Sequence, residues 1–137
     1  MTALSTIERR FCEIASLLDA PASCRIFRTT PHHDGSRHCE FDGTTYTLTT
    51  SERGSLFDSD TTTNADELLF WLVRDMTWQM ASDYELQKRP DNFDGDSRIL
   101  LFDRHVELLN RIDENWGARQ RDCCNHILAE HPTTHLG

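Results

Sequence analysis

The sequence predicts one α+β domain over residues 1–137, with an N-terminal helix, a four-stranded antiparallel meander, then three C-terminal helices packed around a central helix. Three observations support this prediction. Apolar residues recur at steps of three and four near the N-terminus, threonine-rich segments separated by turn signals fill residues 23–60, and helical periodicity returns from Asn64 onward. A chain of 137 residues can bury a core within one domain.

The first helix is predicted from a single apolar face. The members of this face recur with helical spacing and are Ile7, Phe11, Ile14, Leu17 and Leu18. Pro21 follows the face and is expected to lie just beyond the end of the helix.

Four short strands are predicted before Asn64. They are expected near residues 25–28, 38–41, 44–50 and 56–58. Asp42 and Gly43 separate the second strand from the third, because glycine tolerates the positive φ of a tight hairpin turn. Tyr46 and Leu48 alternate with threonines in the third strand, which indicates one packed face and one exposed face.

Three helices are predicted after the strands. They are expected to run from Ala65 to about Arg89, from a cap at Asp96 or Ser97 onward, and from near Asp113 or Glu114 to before Pro132. Thr63 or Asn64 can cap the first of these helices, Asn64 and Glu67 have the spacing of a capping box there, and Pro90 ends the helix. Apolar residues lie most of the way round that helix, which is typical of a helix buried between layers.

Charge and hydropathy narrow the classes of function. The formal net charge is −9, and residues 61–96 hold three basic against eight acidic side chains. Such a surface repels nucleic acid and anionic membranes, and it attracts basic proteins. No stretch approaches the roughly 18 apolar residues that cross a bilayer, and the first ten residues do not resemble a secretory signal. A cytoplasmic protein with five reduced cysteines is therefore expected.

Motifs for metal, cofactor or covalent chemistry are weak. Cys123 and Cys124 lack the spacing of a structural zinc site, and adjacent helical side chains point about 100° apart. A calcium loop over residues 91–96 would require Pro90 and Leu101 as ligands, which neither can be. There is no nucleophile elbow and no glycine-rich phosphate loop. The sequence predicts no catalytic residue, metal or cofactor; a small hydrolase or metal-dependent enzyme using Cys or His with Glu85 is the alternative.

Charged residues on predicted inner helix faces form a second candidate constellation. Arg98 and His105 are seven residues apart and fall on the face that also carries apolar residues. A buried cation has to be paired, because isolation in a low dielectric costs several kcal/mol. Asp75 and Glu85 are the expected partners. Such a network belongs either to an active or binding site or to the scaffold, where it would hold the two helices together. The lack of a cofactor motif favours the structural role.

The second half of the chain resembles a known family. The pattern includes Met80-Ala81, Tyr84-Glu85-Leu86, Arg89, Arg98, Phe102, Leu108-Leu109, Trp116, Arg119 and Ile127-Leu128, and it begins with Asp66-Glu67-Leu68-Leu69-Phe70-Trp71-x-x-Arg74-Asp75. It is similar to the bacterial immunity proteins of polymorphic toxin systems, and within them to the immunity protein 63 family. The resemblance covers roughly the last half of the chain.

The resemblance implies a stoichiometric inhibitor that binds a cognate toxin domain in the cytosol of the producing cell. The negative charge favours a basic toxin. The candidate toxin-binding residues are the acidic side chains and the aromatic one expected at the surface, namely Asp58, Asp60, Asp91, Asp94, Asp96 and Trp78. A generic adaptor for another basic partner is a third hypothesis, which a neighbouring toxin gene would disfavour.

Overall fold

The computed structural model describes residues 3–30, 34–88 and 97–130. In chain order they form helix α1 (Ala3–Leu17), strands β1 (Asp34–Phe41), β2 (Tyr46–Glu52) and β3 (Ser55–Thr62), and helices α2 (Ala65–Lys88), α3 (Ser97–Asn110) and α4 (Glu114–Glu130). The predicted α+β class, the N-terminal helix and the three later helices are confirmed. The chain divides into two compact units, Met1–Val73 and Arg74–Gly137. The single domain over residues 1–137 stays a prediction.

The sheet has three strands rather than the predicted four. Residues 25–28 do not form a strand, because they follow a 3₁₀ turn at Ala22–Cys24 and bond mainly to their own neighbourhood. The backbone N–H groups of Arg25 and Ile26 donate to carbonyls within this turn. Among the described residues, one backbone bond links the segment to β1, from the Cys39 N–H to the Arg28 carbonyl at 2.8 Å. Local turn bonds thus replace the ladder that a fourth strand would need.

The three strands form an antiparallel meander in the order β1-β2-β3. The predicted turn at Asp42 and Gly43 is confirmed: the Asp42 carboxylate accepts the N–H groups of Thr44 and Thr45 at 2.9 and 2.8 Å, and Gly43 has a φ of +103°. These bonds lower the pKa of Asp42, because they stabilise its charged form. The second turn has two residues, Arg53 and Gly54, both with positive φ as a tight hairpin requires.

The core of the first unit combines one face of α1, the middle of the sheet and the first turns of α2. Its buried apolar members include Ile7, Phe11, Ala15, Leu18, Cys39, Leu48, Leu68, Leu69, Phe70 and Val73. The predicted apolar face of α1 is correct except at Leu17, which is 71% exposed at the last residue of the helix. Burial raises the pKa of the Cys39 thiol to about 11, which keeps it protonated and unreactive.

Helix α2 begins with the predicted Asn64 cap, but the Asn64 N–H does not bond to Glu67 as a capping box requires. The Asn64 side chain accepts the N–H groups of Asp66 and Glu67 at 2.8 and 3.3 Å. The Asn64 N–H itself donates to Thr62 Oγ1, and the Glu67 carboxylate accepts the Trp71 indole N–H at 3.1 Å. Asn64 therefore satisfies two N–H groups that the helix cannot pair internally.

Replacing Asn64 with alanine is expected to lower the free energy of unfolding by about 1 kcal/mol, because these two N–H groups lose their acceptor. Urea denaturation followed by circular dichroism would measure the change. The exposed neighbour Thr63, replaced with alanine, is the control and should change stability by less than about 0.5 kcal/mol. Equal effects at both positions would contradict the assignment of the cap.

The second unit contains a compact apolar core between α3 and α4. Phe102, Val106 and Cys124 are buried there, and the partly buried Leu101, Ile127 and Leu128 pack against them. Across the described helices, none combines the length and apolar character needed to span a bilayer.

Candidate functional site

A cavity of about 200 Å³ lies in the second unit, where α2, α3 and α4 each contribute side chains. Its walls are formed by Arg74, Asp75, Trp78, His105, Gln120 and Cys123. Residues three and four apart on a helix face the same side. This spacing explains why Asp75 and Trp78 from α2 share the cavity, and why Gln120 and Cys123 do so from α4.

Trp78 is the exposed aromatic of the cavity. Its side chain is 42% exposed although it lies in the middle of α2. The ring is held by two aromatic contacts, edge-to-face with His105 at 5.6 Å between centroids and tilted against Phe102 at 6.3 Å. Trp78 is therefore a fixed, half-exposed aromatic surface rather than a freely rotating side chain.

His105 is buried at the base of this arrangement, with 1% of its surface exposed. Its Nε2 lies 3.1 Å from the Arg74 carbonyl oxygen and 2.9 Å from Thr77 Oγ1, and the Thr77 hydroxyl also lies 3.1 Å from the same carbonyl. A carbonyl only accepts hydrogen bonds, so the tautomer that satisfies both contacts carries its proton on Nε2. Nδ1 is then an acceptor, and it is buried without a hydrogen-bond partner among the described residues.

The environment of His105 keeps its ring neutral. Burial lowers the pKa of His105 to about 4, the hydrogen bond to the Arg74 carbonyl opposes this shift, and the positive charge of Arg74 adds to it. The imidazole is therefore uncharged at neutral pH. The cavity wall carries the opposite charges of Arg74 and Asp75, with no further cation from the histidine.

The adjacent cysteines of α4 point to different surroundings. Cys123 is exposed and lines the cavity, whereas Cys124 is buried in the α3–α4 core. Burial raises the pKa of the Cys124 thiol, against a weaker opposing effect of the hydrogen bond from Gln120. Within residues 3–30, 34–88 and 97–130, no group of three or more His, Cys, Asp or Glu side chains could hold a metal ion.

The residues of the predicted polar network occupy different places. Asp75 and His105 line the cavity together. Glu85 is buried in α2 with 5% of its surface exposed, and Arg98 lies partly buried in the first turn of α3. The described hydrogen bonds of His105 run to α2 rather than to a carboxylate. Pairing of Arg98 with Asp75 or Glu85 stays a prediction.

The predicted toxin-binding residues belong to different elements of the chain. Trp78 lines the cavity. Asp60 lies in β3, and its 57% exposed carboxylate pairs with the Arg37 guanidinium at 2.9 Å. Asp58 also lies in β3, but its side chain falls outside the described part of the chain. The remaining three, Asp91, Asp94 and Asp96, lie outside the described residues.

Four residues around the cavity were not predicted as site residues: Arg74, Thr77, Gln120 and Cys123. Arg74 and Asp75 do stand together in the string that carries the family resemblance, which was a usable signal. Thr77 gave no sequence signal, because its role depends on the contact with His105, which lies on another helix. Gln120 and Cys123 share one face of α4, but only packing shows what that face meets.

Comparison with known proteins gives one positive result. The model of the family described as immunity protein 63 matches residues 42–125, from the Asp42 turn through most of α4. The match thus begins earlier than the resemblance predicted, and it includes β2, β3 and every residue of the cavity wall. Searches of curated proteins and of solved structures found no match. Because the family model covers more than half of the chain, the protein belongs to the immunity protein 63 family.

Proposed function

We propose that this protein binds a cognate bacterial toxin domain and neutralises it by stoichiometric inhibition in the cytosol of the cell that makes the toxin. The observation that carries the proposal is the family match over residues 42–125. An inhibitor of this kind needs a stable scaffold and a complementary surface. The two cores supply such a scaffold, and the exposed acidic and aromatic side chains supply candidate surfaces.

Charge supports a basic toxin as the partner. The net charge of −9 produces long-range attraction for a basic domain and accelerates its capture. Rapid capture protects a cell that synthesises the toxin itself. The acidic set predicted from the sequence, Asp58, Asp60, Asp91, Asp94 and Asp96, belongs to this proposal.

The enzyme hypothesis needs Glu85 to act with a cysteine or a histidine. His105 and Cys123 do line one cavity, but Glu85 is not among the residues that form its wall. The Nε2 atom of His105 is already engaged by Thr77 and by the Arg74 carbonyl. Inhibition by binding therefore agrees better with the described geometry.

Co-expression tests the proposed function. Cells that express the toxin domain encoded beside this gene should lose viability, and co-expression of this protein should restore growth. The purified pair should form a one-to-one complex in size-exclusion chromatography with light scattering. Cells that remain as sick as those with toxin alone, although the protein is folded and abundant, would exclude the proposal.

Replacing Asp60 with alanine is expected to weaken toxin binding by about fivefold, mainly by slower association at low salt, because rim charges act through electrostatic steering. Asp103 provides a matched control. It is 58% exposed, close to the value for Asp60, and it also pairs with an arginine, Arg121, at 2.9 Å. Surface plasmon resonance at two salt concentrations would compare the alanine variants. An equal loss of affinity in both variants would show that Asp60 does not contact the toxin and that only the net charge of the protein matters.

A further inference from the structure

Trp78 combines two properties that a purely structural tryptophan does not need. Nearly half of its side chain is exposed, yet its ring is fixed by the rings of His105 and Phe102. Aromatic side chains that are rigid before binding lose little conformational entropy on contact, and tryptophan is enriched among residues that dominate interface energies. Trp78 is thus prepared for contact with a partner.

The cavity beside Trp78 has the size of one side chain. Its volume of about 200 Å³ lies below the roughly 300–1,000 Å³ of sites for small organic ligands. Cys123 and Asp75 stand at its wall with Trp78, and α2, α3 and α4 fix the wall from three sides. Such a socket suits a single side chain that projects from a protein surface.

The charges of the wall favour a cation. A tryptophan ring attracts a guanidinium or ammonium group through its negative face. The carboxylate of Asp75 lies one helical turn before Trp78, and His105 contributes no positive charge at neutral pH. Arg74 supplies the opposing charge, but residues 74–137 as a whole hold eight basic and twelve acidic side chains. An anionic side chain would meet the ring and this excess of negative charge unfavourably.

We infer that the cavity between α2, α3 and α4 is a toxin-binding socket that receives one arginine or lysine side chain of the toxin, stacked on Trp78 and directed towards Asp75. This inference rests on the proposed function, because it names the chemistry by which the same partner is recognised. It assigns an essential contact to the second unit.

Thiol protection tests the location in the unmodified protein. Cys123, in the socket, and Cys12, on α1, are both exposed, whereas Cys24, Cys39 and Cys124 are buried. Alkylation by iodoacetamide, followed by tandem mass spectrometry, reports on each thiol separately. Addition of purified, catalytically inactive toxin domain should slow alkylation of Cys123 at least tenfold. Unchanged alkylation of Cys123 within a complex that does form would overturn the inference and leave the proposed function intact.

Variants test the chemistry of the occupant. Trp78→Ala is expected to weaken binding of the inactive toxin domain about 30-fold, and Trp78→Phe, which preserves an aromatic contact with His105, by less than that. Leu86 is 63% exposed on the same helix and does not line the socket, so Leu86→Ala is the matched control and should change affinity by less than twofold. Equal affinities for Trp78→Ala and Leu86→Ala would overturn the inference.

A variant of Asp75 distinguishes a basic side chain in the cavity from an apolar or an acidic one. Asp75→Asn should weaken binding about fivefold to tenfold and reduce its dependence on salt, if circular dichroism shows the fold intact. Unchanged affinity would indicate an apolar occupant, and stronger binding would indicate an acidic side chain directed to Arg74; either result overturns the basic socket. Absence of any complex with the unmodified protein would instead exclude the proposed function.

Discussion

Replacing Arg98 with alanine is expected to destabilise the protein by about 3–5 kcal/mol, because it would leave a buried carboxylate without its cation. Helices α2 and α3 contact each other through Trp78, which meets Phe102 and His105, and through the bonds of His105 to residues 74 and 77. Asp75 and Glu85, the two carboxylates predicted as partners of Arg98, both lie on α2.

Burial favours Glu85 over Asp75 as the partner of Arg98. Glu85 is the more deeply buried carboxylate of the two, with 5% of its surface exposed, so it has the greater need of a cation.

Urea denaturation would measure this prediction. The control is Arg121→Ala, which breaks an exposed pair with Asp103 at 2.9 Å and should cost less than about 1 kcal/mol. The double variant Arg98→Met with Glu85→Leu should recover most of the lost stability, because it removes both charges together. A single Arg98→Ala variant that melts within a degree or two of the natural protein would refute the pairing.

Acidification is expected to destabilise the protein through His105. The pKa of this histidine is about 4 in the folded state and 6.5 when exposed, so the unfolded chain binds the proton more tightly. Its contribution to stability is complete above pH 6.5 and is lost as the pH falls towards 4. The full loss is about 3 kcal/mol, of which about 2 kcal/mol is lost between pH 7.5 and pH 5.

The variant His105→Leu isolates this effect from any contribution of the carboxylates. At pH 7.5 the variant loses one hydrogen bond to Thr77 and Arg74, but it also removes the unpartnered Nδ1, so the two proteins should differ by about 1 kcal/mol or less. At pH 5 the variant should have gained about 2 kcal/mol relative to the natural protein. Parallel loss of stability in both proteins would show that His105 does not carry the effect.

The predictable parts of the fold were those with a local cause. The bounds of α2, α3 and α4 were close to prediction because caps and prolines act within a few residues, as the contacts of Asn64 show. The hairpin at Asp42 and Gly43 was predictable for the same reason. The prediction of a strand at residues 25–28 was wrong. A short apolar segment resembles a strand in sequence, but the turn at Ala22–Cys24 competes with strand formation here.

By itself, the sequence determined the α+β class, the order of the helices and the excess of negative charge, since each follows from residue types and short-range spacing. The family was indicated by the resemblance of the second half of the chain to known immunity proteins. The tertiary structure alone decided that Trp78, Asp75 and His105 share one cavity with Cys123. It also decided that His105, predicted as a member of a polar network with Arg98, is a neutral ring bonded to Thr77 and a carbonyl. The physical reason is that desolvation and side-chain contacts depend on which helices pack together, and helical periodicity shows the face that a residue occupies but not the partner of that face.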